Sequence, residues 1–235
     1  MRAFGLSEDE LVGIIGEYEG LMIRSGTQVT AKVIAAASRL KIIGRAGVGV
    51  DNVDVPAATQ RGVLVVNSPE GNTIAAAEHA LAMMLSLSRH VPQANAGMRA
   101  GKWDRKKYVG NELYKKTLGV VGLGKIGSHV AKVAQAMGMD VIAYDPFIAA
   151  DRAKQMQVRL IELDELFRTA DYVTLHIPRT KDTENLVNAD LLRTMKPTAR
   201  IVNCARGGVV DEAAISEAVS YTHLRAHETS LHLVC

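Results

Sequence analysis

Six residues, Gly122-Leu123-Gly124-Lys125-Ile126-Gly127, constrain this chain more than any other part of it. They follow an apolar, β-branched run over 118–122 and open an Ala-rich helical pattern over 126–137. A second β-branched run over 140–144 ends in an acid, Asp145. Glycines spaced G-x-G-x-x-G between a strand and a helix answer three separate needs. Gly122 allows the tight turn, Gly124 lets the backbone approach a pyrophosphate, and Gly127 lets helix and strand pack closely. The exposed amides and positive dipole at the helix N-terminus then favour the phosphates. Asp145 stands where an acceptor for ribose hydroxyls belongs. A carboxylate there repels a 2′-phosphate, and Pro146-Phe147 brings no arginine to neutralise it, so NAD is expected rather than NADP.

The rest of the chain repeats the same alternation. Strand-like runs occupy 21–23, 41–43, 63–66, 172–176 and 200–204. Helical patterns cover 8–16, 31–39, 56–61 (with a proline in its first turn), 163–169 and 189–195. Near-continuous apolar strands separated by helices predict an α/β fold: a Rossmann-like, doubly wound parallel sheet. The turn-rich stretch 67–72 breaks the pattern and places a domain boundary near Ser68. The run 73–89 is apolar on almost every face, so it is expected to be buried between layers or domains. The stretch 90–116, with Pro92, Gly97, Gly101 and Gly110, reads as a long irregular excursion of functional or interfacial kind.

Composition narrows the class without naming a function. With 48% hydrophobic and 23% charged residues, the 235-residue chain reads as an ordinary soluble globular protein. A net charge of +3, scattered apart from Arg105-Lys106-Lys107, argues against a nucleic-acid partner. No apolar run approaches membrane-spanning length, and no metal-ligand cluster stands out. Cys204 and Cys235 make no disulfide framework, which points to a reducing, cytoplasmic setting.

Four stretches in combination resemble the D-2-hydroxyacid dehydrogenase family: GRAGVGVDNVD (44–54), GKWDRKK (101–107), KTLGVVGLGKIG (116–127) and VNCARGGVVDE (202–212). The resemblance runs over about 11–218. It implies two Rossmann- or flavodoxin-like lobes with an active site in the cleft between them. On that reading 1–68 is part of an incomplete, flavodoxin-like substrate lobe and 69–218 is the NAD-binding lobe. The resemblance also makes Arg206 the catalytic arginine, which grips the carboxylate of a small 2-hydroxy acid and polarises its carbonyl. The residue type suits that role: Arg206 follows a strand, and a planar guanidinium holds a carboxylate bidentately and stabilises a developing alkoxide. Lys125, Ile126, Cys204, Ala205 and Arg206 are implied to contact the cofactor. Arg24, Arg45, Gly47 and Val48 of the 46–49 loop, and Asn72, are implied near the substrate. Arg105 is implied to reach a substrate phosphate across a dimer interface. The parent protein is expected to be a homodimer or homotetramer, through the 73–89 helix and the excursion after it. Reduction of glycerate or hydroxypyruvate, other 2-hydroxyacid dehydrogenations and an NADH-sensing corepressor all share this fold and stay open.

Hydride transfer also moves a proton, so an acid/base is needed. The family uses a His–Glu pair downstream of the arginine motif, but this chain departs from the family pattern soon after Asp211-Glu212. VSYTHLRAHET, at 219–229, is a one-frame translation of a transposon-end sequencing adapter, so 219–235 is read as non-native. His227 and Glu228 are then not the missing pair, and the fragment is expected to be inactive. The chain also opens inside what would be the first helix of its lobe. His79 and His129 read as structural, whereas His176, at a strand end, lies within reach of the cofactor without an acid role in the family.

Overall fold

A computed structural model describes residues 5–221 and 225–228 of the chain, which divide into two units between Thr73 and Ile74. The first unit runs α1 (Glu8–Ile15), β1 (Gly20–Ile23), α2 (Ala31–Ala36), β2 (Ile42–Arg45), α3 (Val55–Gln60) and β3 (Leu64–Asn67). Local chemistry starts each helix. Ser7 and Glu10 form a reciprocal capping box on α1, Thr30 caps α2, and Asp54 caps α3 ahead of its first-turn proline. The strands form a parallel sheet in the order β1-β2-β3. Right-handed crossovers that always step in one direction put their helices on one face. Leu11, Ile15, Val33, Ile34, Ile43 and Ala58 accordingly make a single core there. The other face stays bare, with Met22 83% and Leu64 59% exposed and Ile42 and Val66 beside them.

In the second unit the chain continues through α4 (Thr73–Arg89), α5 (Val91–Arg99) and a 3-10 turn (Arg105–Tyr108) to β4 (Thr117–Val121). It then runs α6 (Lys125–Ala136), β5 (Asp140–Tyr144), α7 (Ala150–Gln155), β6 (Arg159–Leu160), α8 (Leu163–Thr169) and β7 (Tyr172–Leu175). Last come α9 (Ala189–Thr194), β8 (Arg200–Asn203), α10 (Glu212–Tyr221) and β9 (Arg225–Glu228). The parallel order is β6-β5-β4-β7-β8-β9, so the chain enters mid-sheet, winds one way, then returns to wind the other. That reversal covers both faces. Leu118, Val120, Val130, Ala134 and Met84 make one core, and Val121, Ile142, Phe167, Val173, Leu191 and Ile201 the other. Each of the Val, Leu, Ile, Met and Phe side chains among them contributes roughly 1.5–3 kcal/mol on full burial. At Gly119 α8 lies close on β4, since a Cβ there would lie 2.5 Å from Leu166 Cδ2.

Two expectations need correction. The 73–89 helix is not buried all round: Ala77, Ala80, Leu81, Met84 and Ser88 face the core, while Ile74 and Leu85 are exposed. Ala77 and Ala80 together with Leu81 and Met84 make the inner face, and Ile74 and Leu85 lie on the turns that face away from it. The 90–116 excursion is not irregular throughout either, since it holds α5 and a 3-10 turn. Pro92 suits the first turn of α5, and His90 takes the left-handed conformation (φ 54) that separates it from α4. β9, inside the segment expected to be non-native, lies parallel to β8 with Arg200 opposite Arg225. A sheet edge offers free backbone groups to whichever chain follows the crossover. Residues 222–224 and 229–235 of that segment lie outside the described residues.

At the amino ends of β7 and β8 a buried polar tie joins α4 to the sheet. Tyr172 Oη shares a 2.8 Å hydrogen bond with Ser88 Oγ and accepts one of 3.1 Å from Arg200 Nη1, whose guanidinium lies over the Tyr172 ring. Ser88 Oγ also donates to Met84 O. Tyr172→Phe removes the shared oxygen and leaves a buried guanidinium short of an acceptor, at an expected cost of about 1–3 kcal/mol. Urea unfolding should show the loss.

Candidate active site

The carboxyl ends of β4, β5 and β8 bring together most of the expected cofactor residues. The turn after β4 is shaped by its own glycines. Gly122 has φ +92, and a Cβ on it would lie 2.7 Å from Ile177 Cγ2 and 2.8 Å from His176 O. A Cβ on Gly127 would lie 1.9 Å from Gly122 O. These two glycines serve the protein's own packing. Gly124 differs, because nothing lies within 4 Å of a Cβ built on it, so the fold itself does not require glycine there. As the N-cap of α6 it offers no side-chain cap, so no side chain of its own competes with a ligand for the helix N-terminus.

Asp145 is bound into the same turn. Its Oδ2 accepts from Leu123 N at 2.7 Å, and Oδ1 accepts from Phe147 N at 2.9 Å and Ile148 N at 3.2 Å. Gly122 N donates to Tyr144 O, a second tie between the turn and β5. An ionised carboxylate has about four acceptor sites. Three amides therefore leave capacity for a ribose hydroxyl, and the half-exposed group is accessible to one. The residues present fit a dinucleotide: a bare glycine cradle at a helix N-terminus, with a ribose acceptor beside it.

β8 lies two strands from β4, about 10 Å across the sheet. Beyond its end, Cys204 is half-buried against the core and free of any disulfide. Ala205 and Arg206 follow, and the Arg206 guanidinium donates to Ala205 O at 2.8 Å. Lys125 is exposed and Ile126 half-buried at the start of α6. His176, just past β7, shares a 2.9 Å hydrogen bond through Nε2 with Thr174 Oγ1. Burial pushes its pKa down to about 4, so the imidazole is neutral near pH 7.

The expected substrate residues fall mainly in the first unit, again at strand ends. Arg24 follows β1 and is exposed, while Arg45 ends β2 and is buried. A Cβ on Gly47 would lie 1.5 Å from Arg45 Nη1, so glycine there is what lets the guanidinium fold over the loop. Asn67 Nδ2 donates to Val48 O, and Ser68 N donates to Gly47 O, tying that loop to β3. Among the described residues, Asn72 Oδ1 is buried with no hydrogen-bond partner. Arg105 is exposed on the 3-10 turn of the second unit. Sequence reasoning missed Asn52, whose Nδ2 holds Arg24 O at 2.9 Å and Thr27 O at 2.6 Å, and Asn203, which holds the arginine turn. Both are asparagines at turns, and that alone was a signal for local backbone bonding.

Residues 81–229 match the D-isomer specific 2-hydroxyacid dehydrogenase NAD-binding domain. A D-3-phosphoglycerate dehydrogenase of Synechocystis is 64% identical over 215 residues, 92% of this chain and 39% of that protein. One of Archaeoglobus fulgidus is 53% identical, over 92% of this chain and 41% of that protein. The chain thus spans about two-fifths of the length of these curated relatives. Among solved structures, a Thermus thermophilus protein is 34% identical with a TM-score of 0.89, covering 100% of this chain and 75% of that one. A D-lactate dehydrogenase of Aquifex aeolicus, crystallised with NAD and lactic acid, is 30% identical with a TM-score of 0.85, over 93% of this chain and 67% of that one.

Two glycine substitutions should separate fold from ligand. Gly124→Ala should leave the thermal midpoint unchanged and weaken NADH binding about tenfold or more in a fluorescence titration, because its methyl enters only the ligand's space. Gly127→Ala should lower both, because the methyl meets backbone. The His176 shift predicts an acid limb. The unfolded chain takes up a proton near the ordinary pKa of 6.5 and the folded one only near 4, so stability is complete above 6.5 and falls as pH drops toward 4. The loss is of order 1–3 kcal/mol. Thermal midpoints against pH should show this decline flattened in His176→Asn.

Proposed function

This chain belongs to the D-isomer specific 2-hydroxyacid dehydrogenases and carries their NAD-binding domain, and from that premise we propose that the whole protein oxidises 3-phospho-D-glycerate to 3-phosphooxypyruvate, the entry step of serine biosynthesis. The observation that carries the substrate is the 64% identity to a relative bearing that name. In this reading the glycine turn and the N-terminus of α6 hold the pyrophosphate, and Asp145 accepts the ribose hydroxyls. Bound NAD supplies the acceptor for the hydride leaving C2 of the hydroxy acid. Arg206 holds the substrate carboxylate and stabilises charge on the C2 oxygen as the carbonyl forms. Arg24 and Arg105, both exposed cations, serve the phosphate. Arg45, the 46–49 loop and Asn72 complete the substrate contacts.

The C2 hydroxyl proton needs a base with a pKa near neutrality. His176, neutral and bonded to Thr174, is poorly suited to hold that proton. We assign the task to a His–Glu pair that a protein of the relatives' length carries outside this chain. The 235-residue chain alone should therefore bind NADH and turn over negligibly. A dimer is consistent with the exposed apolar side chains along α4, α5 and the segment after them, including Leu85, Met98, Val109 and Trp103, the last 71% exposed. Among the described residues no helix is long and apolar enough to cross a membrane, and a cytoplasmic enzyme is our reading.

The test is NADH formation by the full reading frame, with 3-phospho-D-glycerate, D-glycerate and D-lactate compared at equal concentration. 3-Phospho-D-glycerate should be strongly preferred, and Arg206→Gln should lower kcat/KM by roughly a hundredfold or more. Arg105→Ala should raise KM for the phosphorylated substrate only. Preference for a phosphate-free acid, or turnover by the 235-residue chain, overturns the corresponding part of the proposal.

A further inference from the structure

Arg206 projects from a turn whose two halves are held in different ways. Asn203, buried at the end of β8, grips the first half: Nδ2 donates to Arg206 O at 3.0 Å, and Oδ1 accepts from Ala205 N at 3.1 Å. The second half is Gly207-Gly208, which has no side chains to anchor it, and Gly208 stands at φ +78. A Gly-Gly pair has more backbone freedom to lose than any other. It is held instead by the segment that follows β7. Asn185 N donates to Gly208 O at 2.8 Å and Val187 N to Val209 O at 3.1 Å, and Asp211 N returns a bond to Val187 O. Thr183 braces that segment from within, since its Oγ1 accepts from Thr180 N at 2.7 Å and donates to Pro178 O at 2.6 Å. At its head the Arg179 guanidinium lies against Gly208. A Cβ on Gly208 would come within 3.0 Å of Arg179 Cζ and Nε, and Glu184 holds the other edge of the guanidinium in an ion pair.

We propose that Arg179, tethered by Glu184, is a positioning residue that clamps the Gly207-Gly208 turn and so fixes the direction in which Arg206 points. The inference rests on the reading of Arg206 as the group that faces cofactor and substrate carboxylate. Its physical basis is a division of labour. Arg179 and Glu184 are each 48% exposed, and an ion pair so exposed adds little to global stability. What the flat guanidinium does add is steric cover over one glycine, which is worth little to the fold and much to a turn that must aim a side chain. A displacement of about 1 Å at a reacting group can cost about a hundredfold in rate.

Hydrogen exchange of the complete 235-residue chain, with and without NADH, reads this directly. Arg179→Ala should speed exchange of the Asn185, Val187 and Asp211 amides, which bond to or beside this turn, about tenfold, leaving the thermal midpoint and the amides of β8 unchanged. Arg179→Lys, which keeps the charge for Glu184 but not the planar group, should recover less than half of that protection. Exchange within about twofold of the unsubstituted chain overturns the clamp. So does a general acceleration through β8 with a lowered midpoint, which is the mark of a merely structural contact. The underlying reading fails in a different way: NADH would then give the unsubstituted chain no protection at Cys204, Ala205 and Arg206. Where NADH protects those amides equally with and without Arg179, only the clamp is lost.

Discussion

The close approach of α6 to the end of β4 is the contact on which the second unit depends. Gly122 O occupies the place where any side chain on Gly127 would begin. That approach turns the first amides of α6 toward the strand ends and sets Gly124 at an open surface. Asp145 then bonds Leu123 N, so the acid we propose as the ribose acceptor is also a strut of the glycine turn. Substitutions at Asp145 that aim to change cofactor preference will disturb both. The same carboxylate holds the amides of Phe147 and Ile148, fixing where the chain leaves β5.

The two ends of this sheet divide their work. At the carboxyl ends are the close-packed glycine turn with its Asp145 strut, a half-buried thiol and an arginine on a Gly-Gly turn. At the amino ends, Tyr172, Ser88 and Arg200 form a buried polar tie with a shared oxygen at its centre. Asp171 adds an ion pair with Lys196 and accepts from Thr117 N. The polar tie between α4 and the sheet is thus kept apart from the strand ends that would meet a ligand.

Much of this was legible in the chain, for identifiable reasons. Strand β5 occupies the expected 140–144, and α8 the expected 163–169, because apolar runs with clear turn residues on both sides admit one reading. The 73–89 helix was placed but its burial was overread. Hydrophobicity on every face does not say which face meets the sheet, and here Ala77, Ala80, Leu81 and Met84 meet it while Ile74 and Leu85 do not. The 90–116 stretch hid α5 because Pro92 and Gly97 read as breakers, although proline in a first turn favours a helix. Arg179 carried no sequence signal at all: an arginine in a polar loop looks the same whether it covers a glycine or faces water.

The sequence by itself determined the alternation of strand and helix, the glycine turn with its acid, and the arginine after β8. Each of these is written within a few neighbouring residues, in spacing and residue type. A doubly wound sheet was legible in that alternation, but the tertiary structure alone decided that the second sheet is the one covered on both faces while the first is covered on one. Strand order settles that: winding that reverses mid-sheet lays helices on both sides, while winding in one direction lays them all on the same side. It also decided which glycines serve packing and which one faces open space. That depends on what lies opposite each Cα, and no local pattern records it.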